Sequence, residues 1–439
     1  MLLVGVPAGI IFAYVSKVGE RVIVFMMVFF TCSLIGTINF ESVKDYRGTS
    51  RGYEIGIVDL ATLVLFVFIL MKPKFKVKLL PPGSFLFLIY TLFSMLSIQN
   101  SANSMYSWFE ILKMFKMFFF YMVWYNYLVD LNQIQKVIKI LPIIVIYIFF
   151  SVVYQWKTGT YQPTGPFTHQ NSLCMYIMTL GGIFLAALFE LKMKEIKTIF
   201  MIGMFGLCCL IELLTLSRAG VVCYAGCCLV VVFFSFSIKF KPKKVLILML
   251  MIMIAITGLL FYANSIYDRF VNAPESSLTS REHLAKSATN MAEDNFFGIG
   301  LNNFGIKVNA EYPYSEHLQG RKDFREGLVE SVYLMVAAET GWLNMFVFVT
   351  FIMLFFIANI RNIYYYRNSK MVYLPIALAG GLSAIFLQSY LEWVLKQAPN
   401  FYQLMFFFAI ISAMTRIHKQ NPKRSREEIE LEERKIINF

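Results

Sequence analysis

Apolar runs about as long as a bilayer is thick recur along this chain, separated by short polar connections. They fall near 2–16, 22–40, 56–71, 82–98, 107–128, 138–156, 171–191, 198–217, 219–237, 245–263, 331–359, 372–390 and 401–415. About 20 residues cross the hydrocarbon, and shorter runs suffice where interfacial residues flank them. In lipid an unpaired backbone amide has no water to bond, so each run predicts a helix. The pattern divides the chain into about ten spans over 1–263, one hydrophilic connection at 264–330, about three spans over 331–415 and a charged tail at 416–439. The apolar start, Leu2–Val15, lacks the basic region that precedes a signal sequence and reads as a short first span.

The connections orient these spans. One alternating set carries Lys17 and Arg21; Lys72, Lys74, Lys76 and Lys78; Lys136; Lys192, Lys194 and Lys197; Lys239, Lys241, Lys243 and Lys244; Arg361, Arg367 and Lys370; and the tail from Arg416. Basic loops stay in the cytoplasm, which leaves 41–55, 99–106, 157–170, the turn at 218, 264–330 and 391–400 outside. Composition agrees: 58% of residues are apolar and 15% charged, against about 45–50% and about 25% in soluble proteins. A soluble enzyme, a disordered chain and a secreted disulfide scaffold are excluded. The net charge of +13 reflects topology and not nucleic acid, because the 264–330 loop has seven basic side chains against ten acidic ones. The tail, basic over 419–426 and then acidic, predicts an anchor at the anionic inner leaflet. All seven cysteines sit in apolar stretches without metal-ligand spacing and read as packing residues.

Within the long outer loop, Ser280–Glu293 predicts an amphipathic helix with Leu284, Ala288, Met291 and Ala292 on one face. Gly298 and Gly300 then allow a tight turn; a lone Gly-x-Gly without a preceding soluble strand does not indicate a dinucleotide site. Ionisable groups inside spans are expensive and mark function. Here Asp59, Glu110, Lys113, Lys116, Glu212, Arg218, Glu339, Glu392 and Lys396 all fall toward the outer side, which predicts a site open to that face. A transporter would instead show broken helices at the midplane and repeated halves, and neither is visible. Local pairing is the competing explanation: Glu110 with Lys113, and Glu392 with Lys396, at helical spacing. Lys116 is expected to snorkel to the interface, and pairing of Glu212 with Arg218 is open.

Four motifs in order resemble the O-antigen ligase/polymerase superfamily: Gly165-Pro-Phe-Thr-His-Gln-Asn171 opening a span, Leu214-Thr-Leu-Ser-Arg-Ala-Gly220 at an outer hairpin, Arg281 ahead of Gly298-Ile-Gly300, and Glu330-Ser-Val-Tyr-Leu with Glu339-Thr-Gly341 re-entering the membrane. The resemblance spans roughly residues 100 to 390. It implies an all-α, polytopic helical protein of the bacterial inner membrane, with about 12–14 transmembrane helices, one large partly helical periplasmic loop and an active site facing the periplasm. It implies a glycosyltransferase that uses undecaprenyl-diphosphate-linked oligosaccharide as donor and acceptor, with no metal or nucleotide-sugar cofactor and no nucleic acid. A chain-length regulator protein is the candidate partner besides the bilayer. By the same resemblance, Arg218 and Arg281 hold the lipid diphosphate. Ligases of the superfamily carry a His-Asn pair where this chain has Glu330-Ser331, which favours the polymerase branch that extends O-antigen or capsule repeat units.

Chemistry supports those assignments. Two guanidinium forks can hold a departing pyrophosphate by charge-assisted hydrogen bonds, and a carboxylate at the loop–membrane boundary, Glu330, can take the proton of an attacking hydroxyl. The other role open to Glu330 is an N-terminal helix cap. Lys113, His169 and Asn171 are candidate contacts to phosphate or sugar. The rival functions are an O-antigen ligase or protein O-oligosaccharyltransferase with the same donor, and a non-catalytic flippase or exporter of lipid-linked sugars.

Overall fold

The computed structural model describes residues 2–33, 35–43, 46–72, 76–191, 195–271, 275–308, 312–315 and 327–420. The chain is an all-α polytopic membrane protein. Among the described residues, seven helices have the length and apolarity to cross a membrane: Leu131–Lys157, Gln170–Glu190, Ile196–Leu214, Arg218–Ile238, Trp342–Tyr365, Lys370–Leu391 and Ala398–Gln420. Gly5–Val15, Ile57–Met71 and Ser84–Asn100 are shorter apolar helices. Helices at Lys17–Phe29, Ser104–Tyr127 and Pro242–Val271 stand at the remaining expected spans. The expected tail lies outside the described residues from 421 onward.

Two spans differ from expectation. The run at 22–40 stops being helical at Cys32, and Ile38–Ser42 pairs antiparallel with Gly52–Ile55 as a short ribbon. Gly36 at φ 75° lies between the helix end and the first strand, and the polar Asn39, Glu41 and Ser42 suit an exposed strand, not a lipid-facing turn. The run at 331–359 is broken into Val332–Thr340 and Trp342–Tyr365. The break lies at Gly341, whose φ of 89° suits glycine far better than any side chain, and a Cβ there would stand 2.0 Å from the Phe296 carbonyl oxygen. A broken helix is therefore present where the apolar pattern showed an unbroken span.

The chain forms two compact units. One comprises 129–273, 356–388 and 410–439. Its centre is Gln170–Glu190, buried along nearly its whole length and packed on Ile196–Leu214 and Arg218–Ile238. A helix apolar all round belongs in such an interior, and its small residues Gly181, Gly182, Ala186 and Ala187 allow close helix approach.

The other unit comprises 1–128, 274–355 and 389–409. Here Glu275–Asp294 forms the expected loop helix and packs on Val332–Thr340. Its predicted face is the buried one: Leu284, Ala288, Met291 and Ala292 are all inside. The first three join Ile299, Phe304, Val308, Val329, Met335 and Ala338 in one apolar cluster. Gly298 and Gly300 both have positive φ, as a tight turn requires. The turn docks on the end of Val332–Thr340, where the amides of Ile299 and Gly300 donate to the carbonyls of Ala338 (2.9 Å) and Glu339 (3.1 Å). These are helix-end acceptors that would otherwise be orphaned at the break.

Candidate active site

The unit that contains the loop helix holds two linked groups of charge. Arg281, the seventh residue of the Glu275–Asp294 helix that the apolar face seats, places its guanidinium between two carboxylates. Its Nε lies 2.5 Å from Glu330 Oε2 and its Nη2 lies 3.4 Å from Glu392 Oε1. Arg281 is 39% exposed and Glu330 30%, whereas Glu392 is buried. The helix cap at Val332 is Ser331, whose Oγ accepts from the Leu334 amide, so the side chain of Glu330 serves the arginine and not the helix end. Burial raises the Glu330 pKa above the ordinary glutamate value, and the Arg281 charge opposes the rise.

Four residues beyond Glu392, Lys396 enters a buried network. Its Nζ lies 3.0 Å from Glu339 Oε2 and 3.7 Å from Glu110 Oε1. Glu110 Oε2 in turn lies 2.6 Å from Lys113 Nζ and accepts from Thr49 Oγ1 (2.7 Å) and Ser50 Oγ (2.6 Å). Lys113 Nζ also donates to the carbonyls of Thr49 (2.9 Å) and Lys396 (2.8 Å). Two cations and two anions alternate here, all nearly excluded from solvent. The expected pairing of Glu110 with Lys113 is present, whereas that of Glu392 with Lys396 is replaced by long-range partners. The segment from Glu392 to Lys396 is a bend with one short turn of 3₁₀ helix, so spacing by four does not place the two side chains together. Lys116, expected at the interface, lies 3.0 Å from Asp59.

Amide side chains fix the base of the loop to this network. Asn302 Oδ1 accepts from the Thr49 amide (2.8 Å), and its Nδ2 donates to the carbonyls of Ser50 (2.8 Å) and Tyr106 (2.9 Å). Asn303 Oδ1 accepts from the Asn103 amide at 2.8 Å. Tyr46 donates to the Asn302 carbonyl. Sequence analysis missed these residues. The adjacent pair Asn302-Asn303 directly after the glycine turn is the signal that could have found them.

The remaining candidates belong to the other unit. Arg218 opens Arg218–Ile238 directly after Ser217, which caps the helix by accepting from Gly220 N at 3.1 Å. Ser217 Oγ also donates to Asn171 Oδ1 (2.8 Å), and Gln388 Nε2 donates to the Asn171 carbonyl (3.0 Å). His169 caps Gln170–Glu190 through Nδ1, which accepts from Asn171 N at 3.2 Å. So His169, Asn171 and the start of the Arg218 helix share one hydrogen-bonded corner, and Arg281 and Glu330 share another. Glu212 is not paired with Arg218, since both its carboxylate oxygens are buried without a hydrogen-bond partner. Among the described residues no cysteine forms a disulfide, and Cys32, Cys174, Cys208, Cys223 and Cys227 are buried, as packing residues would be.

Membrane-length helices define an integral membrane protein, with an arginine that reaches the surface between the half-buried Glu330 and the buried Glu392. Residues 200–349, roughly a third of the chain, match the family model Wzy_C, described as O-antigen ligase. The matched region is similar to the O-antigen ligase family, at a coarse level a family of glycosyl-transferring enzymes, and it includes Arg218, Arg281, Glu330 and Glu339. No curated protein matches the chain.

Proposed function

We propose that this protein polymerises undecaprenyl-diphosphate-linked oligosaccharide repeat units on the outer face of the bacterial inner membrane, and that Arg281 and Glu330 act together in the transfer. The observation that carries the reading is the Arg281 guanidinium held at 2.5 Å from a carboxylate whose pKa burial has raised. A lipid diphosphate would draw the guanidinium away from Glu330 and Glu392, since it offers a dianionic acceptor that the planar fork can grip bidentately. Arg281 opposes the rise in the Glu330 pKa while the two are paired, so its departure makes Glu330 a stronger base as the donor arrives.

The step then balances. Glu330 takes the proton of an acceptor hydroxyl as its oxygen bonds the anomeric carbon of the donor sugar. The bond from that carbon to the phosphate oxygen breaks, its electron pair leaves on the polyprenyl diphosphate, and Arg281 neutralises the departing charge. The family resemblance gives Arg218 the same anionic ligand, and His169 and Asn171 are candidate contacts to sugar or phosphate. Lys113 has its three donors committed to Glu110 and two carbonyls, and its part is to hold the network that sets Lys396 and, through it, the Glu392 segment.

Purified protein incubated with a defined undecaprenyl-diphosphate repeat unit tests the reading. A ladder of longer lipid-linked products supports polymerisation. A single transfer to lipid core or to a polypeptide selects the ligase or oligosaccharyltransferase, and delivery of unmodified units across vesicles without any transfer selects the flippase.

A further inference from the structure

The loop helix Glu275–Asp294 ends one residue before Asn295, and the chain then runs Asn295-Phe-Phe-Gly-Ile-Gly-Leu301 without a helical ladder to satisfy its backbone. Every amide from Gly298 to Leu301 nonetheless donates within the protein: to the carbonyls of Asn295 (2.8 Å), Ala338 (2.9 Å) and Glu339 (3.1 Å), and to Ser97 Oγ (3.0 Å). The carbonyls of Gly298, Gly300 and Leu301 accept from Asn100 Nδ2 (2.8 Å), the Asn303 amide (3.2 Å) and Ser107 Oγ (2.7 Å). Irregular backbone is tolerated at membrane depth only when protein groups meet its polar atoms in this way.

Two side chains of this turn face outward. Phe296 is 68% exposed and Phe297 37%, with ring centroids 5.0 Å apart. Left in water, each ring would forgo up to about 1.5–3 kcal/mol of burial energy. Their level follows from the helices beside them. Phe297 lies 6.3 Å from Phe93, which stands about 10 Å down the apolar helix Ser84–Asn100 from its outer end. That helix is only about 25 Å long against a hydrocarbon core of about 30 Å, so it has no length to spare and Phe93 lies within the hydrocarbon. Phe85, Leu88 and Leu92 are exposed along one face of it, as a lipid-facing stripe is. On the other side the Phe296 carbonyl backs Gly341, where the membrane-length helix Trp342–Tyr365 starts with Leu343 and Phe346 exposed.

We infer that the Asn295–Leu301 turn is a membrane wedge: Phe296 and Phe297 insert among the acyl chains at the boundary of the outer leaflet, and phospholipid is what covers them. The long outer connection is thereby fixed to lipid directly after its helix, so the helix that carries Arg281 is held at that end by the bilayer as well as by its apolar face. The wedge holds whichever glycan transfer the protein performs. Its test uses full-length protein in nanodiscs of phosphatidylethanolamine and phosphatidylglycerol, free of polyprenyl lipid, with the photo-crosslinker p-benzoylphenylalanine in place of Phe296.

Mass spectrometry after irradiation should find a phospholipid adduct at 296 in a yield within about threefold of the same crosslinker at Phe85, and about tenfold or more above that at Glu282, an exposed position on the loop helix. An adduct at 296 no stronger than at Glu282, or a crosslink to a second copy of the chain in place of lipid, overturns the wedge. A second probe does not depend on the bulky crosslinker. Phe296→Cys should react with a membrane-impermeant maleimide about tenfold more slowly than Glu282→Cys in the same nanodiscs, after subtraction of the wild-type rate for the native cysteines. Equal rates overturn the wedge.

Discussion

Replacing Lys396 by Met removes one charge from the middle of the buried network and leaves its neighbours in place. Glu339 loses a cation at 3.0 Å and Glu110 one at 3.7 Å, and both carboxylates are only 1% exposed. Water cannot replace the missing partner, so the expected cost is that of breaking a buried pair, about 3–5 kcal/mol. Solvent screening does not reduce it, because Lys396 itself is buried. At roughly 2–4 °C per kcal/mol, the scale for soluble domains of about 150–250 residues, even 3 kcal/mol lowers the melting temperature by about 6–12 °C. Adding Glu339→Gln to Lys396→Met removes the orphaned carboxylate and should recover about 1–3 kcal/mol, a positive coupling between contacting groups. The assay is the fraction of detergent-solubilised protein that stays monodisperse after heating, measured for wild type, both single variants and the double. If Lys396→Met melts within about 2 °C of wild type, or the two substitutions add without coupling, the network is not the structural frame described above.

The Arg281 pair behaves in the opposite manner. Both partners are about a third exposed, so Arg281→Lys should cost at most about 1 kcal/mol of stability, yet slow transfer by about 10²–10³-fold by losing the bidentate fork; kcat beside a melting curve checks this. Because the Glu330 pKa is raised, the carboxyl is protonated and idle at low pH, and activity should rise with pH through a midpoint above the ordinary glutamate value. Glu330→Gln should abolish that limb and lower the rate by about 10²–10⁴-fold, read from a pH–rate profile. Asn302→Ala removes the hydrogen bonds from the Thr49 amide and to the Ser50 and Tyr106 carbonyls, at a cost of about 2–4 kcal/mol in the melting assay. Gly341→Ala puts a Cβ against the Phe296 carbonyl at positive φ and should sharply reduce the yield of folded protein.

Local pattern carried much of this architecture. The loop helix and its buried face at Leu284, Ala288, Met291 and Ala292 follow from period 3.6 alone, and the turn at Gly298 and Gly300 follows from residue type. What pattern could not supply is partnership across the chain. Glu392 lies 111 residues from Arg281, and Lys396 lies 57 from Glu339; spacing by four suggested a neighbour that the bend at 391–397 removes. The Gly341 break was hidden because Val332–Thr340 and Trp342–Tyr365 are both apolar, so hydropathy reads through a change of backbone direction. The 38–55 ribbon was missed for a related reason, since its first half extends an apolar helix and its pairing partner sits in a polar loop. The superfamily resemblance proposed Arg218 and Arg281, and the need for a proton acceptor proposed Glu330, whereas the pattern of charges within apolar spans marked only Arg218 of the three.

The account depends most on Arg281 exchanging its carboxylate partners for a diphosphate. The direct measurement is the affinity of nanodisc-embedded protein for undecaprenyl diphosphate and for undecaprenyl monophosphate, by native mass spectrometry, in wild type and Arg281→Met. The variant should lose at least tenfold in diphosphate affinity and far less in monophosphate affinity. Equal diphosphate binding by the two proteins would contradict the exchange.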